Sequence, residues 1–173
     1  MLTSCTRPHI CVPAVMQLRS LRPARPPKPA GDMHRHHRGK TMNNTFAFNH
    51  FNFNVKDLDR SLKFYKEAFG LEPVEINDRP NFTLAFLGDN TTSFRLELTY
   101  LKDRTEAYDL GEQEFHLALR TPNIKEAHDL HTKMGCVCFE NAPMGIYFVE
   151  DPDGYWIEVI PDRTKPQSWP EEA

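Results

Sequence analysis

Two stretches decide the reading, Phe94-Arg95-Leu96-Glu97-Leu98-Thr99-Tyr100 and Gly154-Tyr155-Trp156-Ile157-Glu158-Val159-Ile160. Each alternates as a strand does, and each carries a single carboxylate near its centre. The second follows a turn, Asp151-Pro152-Asp153-Gly154, whose Pro and Gly suit a tight reversal. Alternation sets Trp156, Glu158 and Ile160 on one face of that strand. A lone Glu on a mostly apolar face is costly unless it meets a cation or gives up its charge. Glu97 and Glu158 therefore ask the same question, which cation each of them meets.

Working backwards from each Glu exposes an internal repeat. The first copy opens with an alternating strand over residues 46–55, with Phe46, Phe48 and His50 on one face and Phe51, Phe53 and Val55 on the other. Asp57 then caps a helix carrying Leu58, Leu62, Tyr65, Ala68 and Phe69, which Gly70 ends. Strands follow near residues 71–76, 82–87 and 93–101. The second copy opens with a strand over 114–121, caps a helix at Asn123, ends it at Gly135, and adds strands near 136–140, 145–150 and 155–160. The order strand, helix, three strands is thus used twice. This predicts an α+β fold of two βαβββ modules forming a curved mixed sheet. The module limits are 46–101 and 114–161, joined by a charged linker at 102–113, within a domain spanning 42–163. Residues 164–173 form a C-terminal tail.

Each copy has a His in its opening strand, His50 and His116, and a Glu in its closing strand, Glu97 and Glu158. One His on a strand face is ordinarily a satisfied core residue. Two His and two Glu at matched places in two copies point instead to a shared divalent ion. Two neutral imidazoles and two carboxylates form an N2O2 set suited to a transition metal, and leave coordination positions open for water or substrate. The alternative is a hydrogen-bonded His–Glu pair in each half with no metal. An open ion beside a carboxylate favours one reaction class, in which the two oxygens of an α-hydroxycarbonyl are held and a carbon-bound proton moves to the neighbouring carbon through an enediolate.

Composition sets limits. Of the chain's 21 Lys/Arg and 24 Asp/Glu, residues 1–41 hold eight and one, which leaves 13 and 23 in the remainder, about −10 in net charge. So acidic a body is a poor nucleic-acid binder, and no apolar run is long enough for a membrane span. Residues 1–41 are rich in Pro and Arg and show no apolar period, which predicts a disordered tail. It reads as a transit peptide, an interaction tail, or sequence upstream of a natural start at Met42, the last being favoured. His34, His36 and His37 within it are read as incidental. Cys136 and Cys138 alternate along a strand and are read as reduced, packed thiols rather than a soft-metal pair, placing the protein in a reducing, cytoplasmic compartment.

The segment from His50 to Ile160 resembles the glyoxalase I family of the vicinal-oxygen-chelate superfamily, which also contains bleomycin-resistance proteins and dioxygenases. The matching residues are His50, Val55-Lys56-Asp57-Leu58-Asp59-Arg60-Ser61, Phe64-Tyr65, Leu96-Glu97-Leu98-Thr99-Tyr100 and Phe148-Val149-Glu150-Asp151-Pro152-Asp153-Gly154-Tyr155-Trp156-Ile157-Glu158. The resemblance implies metal ligands at His50, Glu97, His116 and Glu158, with Glu158 as the usual base. It implies a lyase that detoxifies methylglyoxal by converting its hemithioacetal with glutathione to S-lactoylglutathione. It implies Ni²⁺ or Co²⁺, with Zn²⁺ as the alternative, and usually a homodimer in which His50 and Glu97 of one chain oppose His116 and Glu158 of the other, with pairing inside one chain, which the 102–113 linker also permits, as the alternative. Relatives with two His and one Glu, or with no metal set, suggest as alternatives another thiol adduct, a small oxo-acid, or sequestration of a drug. In the last of these, Phe46, Phe48 and Trp156 would line a cleft.

Two positions depart from the family. Where an Arg often follows four residues after the first His, this chain has Asn54, and where an Asn often follows four after the first Glu, it has Leu101. Glutathione has two carboxylates, so its pocket needs cations. Arg120, four residues after His116, occupies the place matching Asn54 in the second copy. Asn54 and Arg120 are therefore the candidate substrate-binding residues. If substrate lies in the opposite sense across the repeat axis, with Arg120 on its carboxylate, Glu97 becomes the base.

Overall fold

The computed structural model describes residues 46–164 and Trp169. The chain divides into two units, residues 1–47 and 48–173. The expectations for the tail at 1–41, and those for most of 164–173, lie outside the described residues. Of the first unit only Phe46 and Ala47 are described, and both are exposed. The second unit contains both copies of the repeat.

The first module comprises β1 (His50–Val55), α1 (Leu58–Phe69), β2 (Glu72–Asp78), β3 (Phe82–Gly88) and β4 (Arg95–Leu101). The second comprises β5 (Leu117–Thr121), α2 (Ile124–Met134), β6 (Val137–Asn141), β7 (Ile146–Glu150) and β8 (Trp156–Pro161). The sheet orders are identical, β1-β4-β3-β2 and β5-β8-β7-β6, with the opening and closing strands parallel and the rest antiparallel. Parallel pairing of the first strand with the fourth is what places each His beside its Glu. Asp57 caps α1 by accepting from the Arg60 amide, and both helices end at glycines in the left-handed region, Gly70 at φ 68° and Gly135 at φ 69°.

Three local expectations are corrected. The first strand begins at His50, not at residue 46, because Arg95 is the first partner that β4 offers. His116 stands just before β5, which begins at Leu117 opposite Ile157. Asn123 occupies the cap position of α2 without capping it, since its side chain reaches Glu126 while its own amide donates to Thr121 Oγ1. A short 3-10 turn, Ala142–Met144, precedes β7 and has no sequence signal beyond Pro143.

The two modules of one chain share a core on the helical side of the sheets. Phe53, Leu96 and Leu98 pack with Tyr155 and Ile157 in one cluster, and the Phe53 and Tyr155 rings stack with centroids 4.0 Å apart. The Asp151–Gly154 turn then clasps the first module. Asp151 accepts from Tyr65 Oη at 2.7 Å and from the Tyr155 amide at 2.9 Å. Asp153 accepts from the Lys56 amide, Arg60 and Ser61 Oγ at 3.1–3.2 Å. On the other side, His131 of α2 donates from Nε2 to the Ala68 carbonyl at the end of α1, and Tyr147 Oη donates to its Nδ1, both at 2.9 Å. Burial holds this imidazole below its ordinary range, which suits the neutral tautomer those two bonds require.

The clasp makes a stability prediction. Tyr65→Phe removes a hydrogen bond to a buried carboxylate, at a cost of about 1.5–3 kcal/mol, to be read from urea unfolding. Burial pushes the Asp151 carboxyl up to about 6, against the bonds donated to it. A folded-state value above that of the unfolded chain makes the group's contribution greatest at low pH, and that contribution falls as pH rises through about 6. Asp151→Asn should therefore gain on the wild type between pH 4 and pH 7, whatever its absolute stability. A constant difference across that range would contradict the assignment.

Candidate metal and active site

The same alternation that buries Leu96, Leu98, Ile157 and Val159 turns Glu97 and Glu158 to the opposite face of each sheet. Glu97 is in register with Asn52, and Glu158 with Ala118. In each module the His lies two residues before that register partner, on the same face. The carboxylate leans back along the strand to meet the ring, with His50 Nε2 to Glu97 Oε2 at 3.0 Å and His116 Nε2 to Glu158 Oε2 at 3.2 Å. The carboxylates are largely shielded and the imidazoles are about two-fifths exposed.

The repeat extends one layer beyond the four His and Glu residues. Phe86 lies in register with Glu97 and Phe148 with Glu158. Each presents a ring nearly perpendicular to the neighbouring imidazole, at 5.7 Å for His50 and 5.4 Å for His116. Each half-site is thus a His, a Glu and an aromatic ring in the same arrangement. A sequence signal existed, since Phe86 and Phe148 occupy matched places in the third strands.

The four ligand candidates do not gather within one chain. Among the described residues, no three His, Cys, Asp or Glu stand close enough to share an ion. The cause is the shared core. The modules are joined through their helical side and the clasp turn, which leaves two separate His–Glu pairs on the other faces of the sheets.

The donors themselves suit a cation. His50 Nδ1 lies 2.8 Å from Asn49 Oδ1, a carbonyl oxygen that can only accept. A ring proton therefore sits on Nδ1, and Nε2 faces a carboxylate oxygen at 3.0 Å. Either a second ring proton or a bound cation satisfies that contact. An imidazole that donates its far N–H and turns its free nitrogen to a divalent ion is the usual arrangement in metal sites.

The neighbours of the two Glu residues differ. Thr99 Oγ1 lies 3.2 Å from Glu97 Oε1 and 2.6 Å from Asn52 Oδ1. In the second module the matching positions are Ile160 and Ala118, which offer no hydrogen bond. Asn54, half-buried opposite Thr99, accepts from Asn52 Nδ2 at 3.2 Å. Arg120, exposed and opposite Ile160, lines an inter-module cavity of about 840 Å³ that none of the four His and Glu residues borders. The two candidate substrate-binding residues thus stand in different modules. Trp156 is buried against Phe139 and Phe148 rather than lining a cleft.

The repeated module and its paired ligands define the class: the chain belongs to the Glyoxalase/Bleomycin resistance protein/Dioxygenase superfamily, whose pattern matches residues 47–159. Within it, the lactoylglutathione lyase of Neisseria meningitidis serogroup A is 41% identical over 125 residues, covering 66% of this chain and 90% of its own length. Among solved structures, the trypanothione-dependent glyoxalase I of Leishmania major superposes with a TM-score of 0.63 at 34% identity, over 69% of this chain and 89% of that one. Glyoxalase I from Zea mays gives 0.58 at 35%, over 65% of this chain and 43% of its own.

If the pairs bind one ion together, His50→Ala and His116→Ala should each weaken Ni²⁺ or Co²⁺ binding by at least tenfold in calorimetric titration of metal-stripped protein. Loss on one substitution only would mean that the halves act separately.

Proposed function

We propose that the chain is a metal-dependent lactoylglutathione lyase. It isomerises the hemithioacetal of methylglyoxal and a low-molecular-weight thiol at a divalent ion held by His50 and Glu97 of one chain and His116 and Glu158 of a second. The observation that carries this reading is the identical register of the two His–Glu pairs, each lacking the other half of a four-ligand set. Lactoylglutathione lyases among the relatives support the reaction. The ion is assigned as Ni²⁺ or Co²⁺, with Zn²⁺ as the alternative, and glutathione as the first thiol to test. The free thiols of Cys136 and Cys138 support a cytoplasmic setting. Burial pushes the Cys138 thiol up to about 12, so it is no competing nucleophile.

A bound divalent ion would supply the positive charge that makes an enediolate accessible at neutral pH. The chain's part is proton transfer. Glu158 takes the proton from the carbon bearing sulfur and oxygen, holds it on a carboxyl oxygen, and returns it to the adjacent former carbonyl carbon. One C–H bond breaks and one forms, while the hydroxyl proton passes from the oxygen on the sulfur-bearing carbon to the former carbonyl oxygen, with no net redox change. Glu158 is preferred to Glu97 because no neighbour at the positions of Thr99 and Asn52 tethers it. The domain from 42 to 163 is the proposed catalytic unit.

Reconstituted protein should form thioester absorbance from methylglyoxal and glutathione, or from trypanothione if the thiol follows the Leishmania enzyme. Protein inert with every thiol after Ni²⁺, Co²⁺ and Zn²⁺ addition would favour a binding role instead. Glu158→Gln should lower kcat by about 10²–10⁴, and Glu97→Gln by less at equal metal occupancy. The reverse order would support substrate bound in the opposite sense, where Arg120→Ala raises KM for the thiol adduct.

Shared sites also predict complementation. Chains carrying His50→Ala with Glu97→Gln, and chains carrying His116→Ala with Glu158→Gln, should each be inactive alone. A mixed dimer has one intact site of two, so random pairing should restore about a quarter of wild-type activity. No recovery in verified mixed dimers would rule out ligands from two chains.

A further inference from the structure

Outside the four ligands, the two halves differ most in what stands behind the imidazole. Asn49 Oδ1 accepts from His50 Nδ1 at 2.8 Å, and Arg95 Nη2 reaches the same oxygen at 3.4 Å. Arg95 is cross-strand from His50, and its amide donates to the Asn49 carbonyl at 3.0 Å, closing the start of the β1–β4 ladder. Its guanidinium is held on both sides, by Glu75 at 2.8 Å and by the Phe86 ring at 4.5 Å to the centroid. A chain of contacts thus runs from Glu75 through Arg95 and Asn49 to His50.

The second half has none of this. The residue before His116 is Phe115, and the residue two before Glu158 is Trp156. Among the described residues, no hydrogen bond reaches Nδ1 of His116. The repeat keeps the ligands and the aromatic ring while replacing the polar support by apolar side chains.

We infer that Asn49, braced by Arg95, is a positioning residue that fixes His50 as the Nδ1–H tautomer with its Nε2 lone pair aimed at Glu97, making the first half-site the preset half of the metal site. This rests on the metal reading above. A donor-only guanidinium beside the Asn oxygen keeps the amide from turning its NH₂ toward the ring. A preset ligand loses less freedom on binding an ion, so the support appears as affinity. His116 is set only when the ion arrives.

The test is calorimetric titration of Co²⁺ into metal-stripped full-length protein, together with the visible absorption band of the Co²⁺ form. Asn49→Leu should weaken Co²⁺ binding by about 10–100-fold and alter the band, while Asn49→Asp, which keeps the acceptor, should restore both. Arg95→Met should show a smaller loss in the same direction, and Phe115→Leu none. Asn49 is exposed, so the fold does not depend on it; unchanged thermal melting of the metal-free variants checks this. If the wild type binds and Asn49→Leu binds equally well with the same band, the inference fails. If the wild type binds no metal, the metal reading fails instead.

Discussion

A carboxylate set against an imidazole nitrogen at hydrogen-bond distance, once in each module, is the constraint on which the rest turns. With its Nδ1–H committed to Asn49, His50 turns Nε2 to Glu97 at 3.0 Å, and His116 meets Glu158 at 3.2 Å in the same register. Neither largely shielded carboxylate is stable on its face without a donor or a cation beside it. The strand period brings this about. Burying Leu96, Leu98, Ile157 and Val159 on the helical side of each sheet leaves Glu97 and Glu158 no choice of face. Each of these aliphatic side chains contributes about 1.5–3 kcal/mol on burial, so register and acid placement are stabilised together. A one-residue slip would lose both the core and the site.

Duplication gives the two halves the same ligands, but not the same chemistry. The first half surrounds its Glu with polar neighbours, Asn52 and Thr99, and its His with Asn49 and Arg95. The second puts Ala118, Ile160, Phe115 and Trp156 at the matching places. A polar shell holds ligands still, whereas an apolar shell offers a carboxylate no tether and leaves it free to move. These are the requirements of an anchor and of a base. On the proposed reading the two halves divide the two tasks, with Glu97 suited to holding the ion and Glu158 to carrying the proton.

How much of this could be read from the amino acids follows from the range of each interaction. Helix ends at Gly70 and Gly135 and the alternation around Glu97 and Glu158 are local, and they were legible, as were the two His–Glu pairings once the repeat was seen. Strand starts were less so. Phe46 and Phe48 alternate as a strand should, yet β1 begins only at His50, where Arg95 gives it a partner. The perpendicular rings of Phe86 and Phe148 depend on cross-strand register, and the support of His50 by Asn49 and Arg95 depends on a parallel pairing 46 residues apart in sequence. No local pattern carries that information.

Separation of the pairs within one chain was the least legible feature, and it follows from the clasp rather than from the ligands. Asp151 and Asp153 lie on the turn that leads into β8, so the residues that shape the second half-site also bind that strand's module to α1. With Tyr155 stacked on Phe53 and His131 bonded to the end of α1, the contact between modules is already satisfied on the helical side. Swinging one sheet round to bring four ligands together inside the chain would break these buried hydrogen bonds. Each leaves a donor or acceptor unsatisfied at about 1–3 kcal/mol. A second chain can meet the open faces without breaking any of them. On the proposed reading, the energetics of the clasp, more than the geometry of the metal, therefore favour a site completed between two copies.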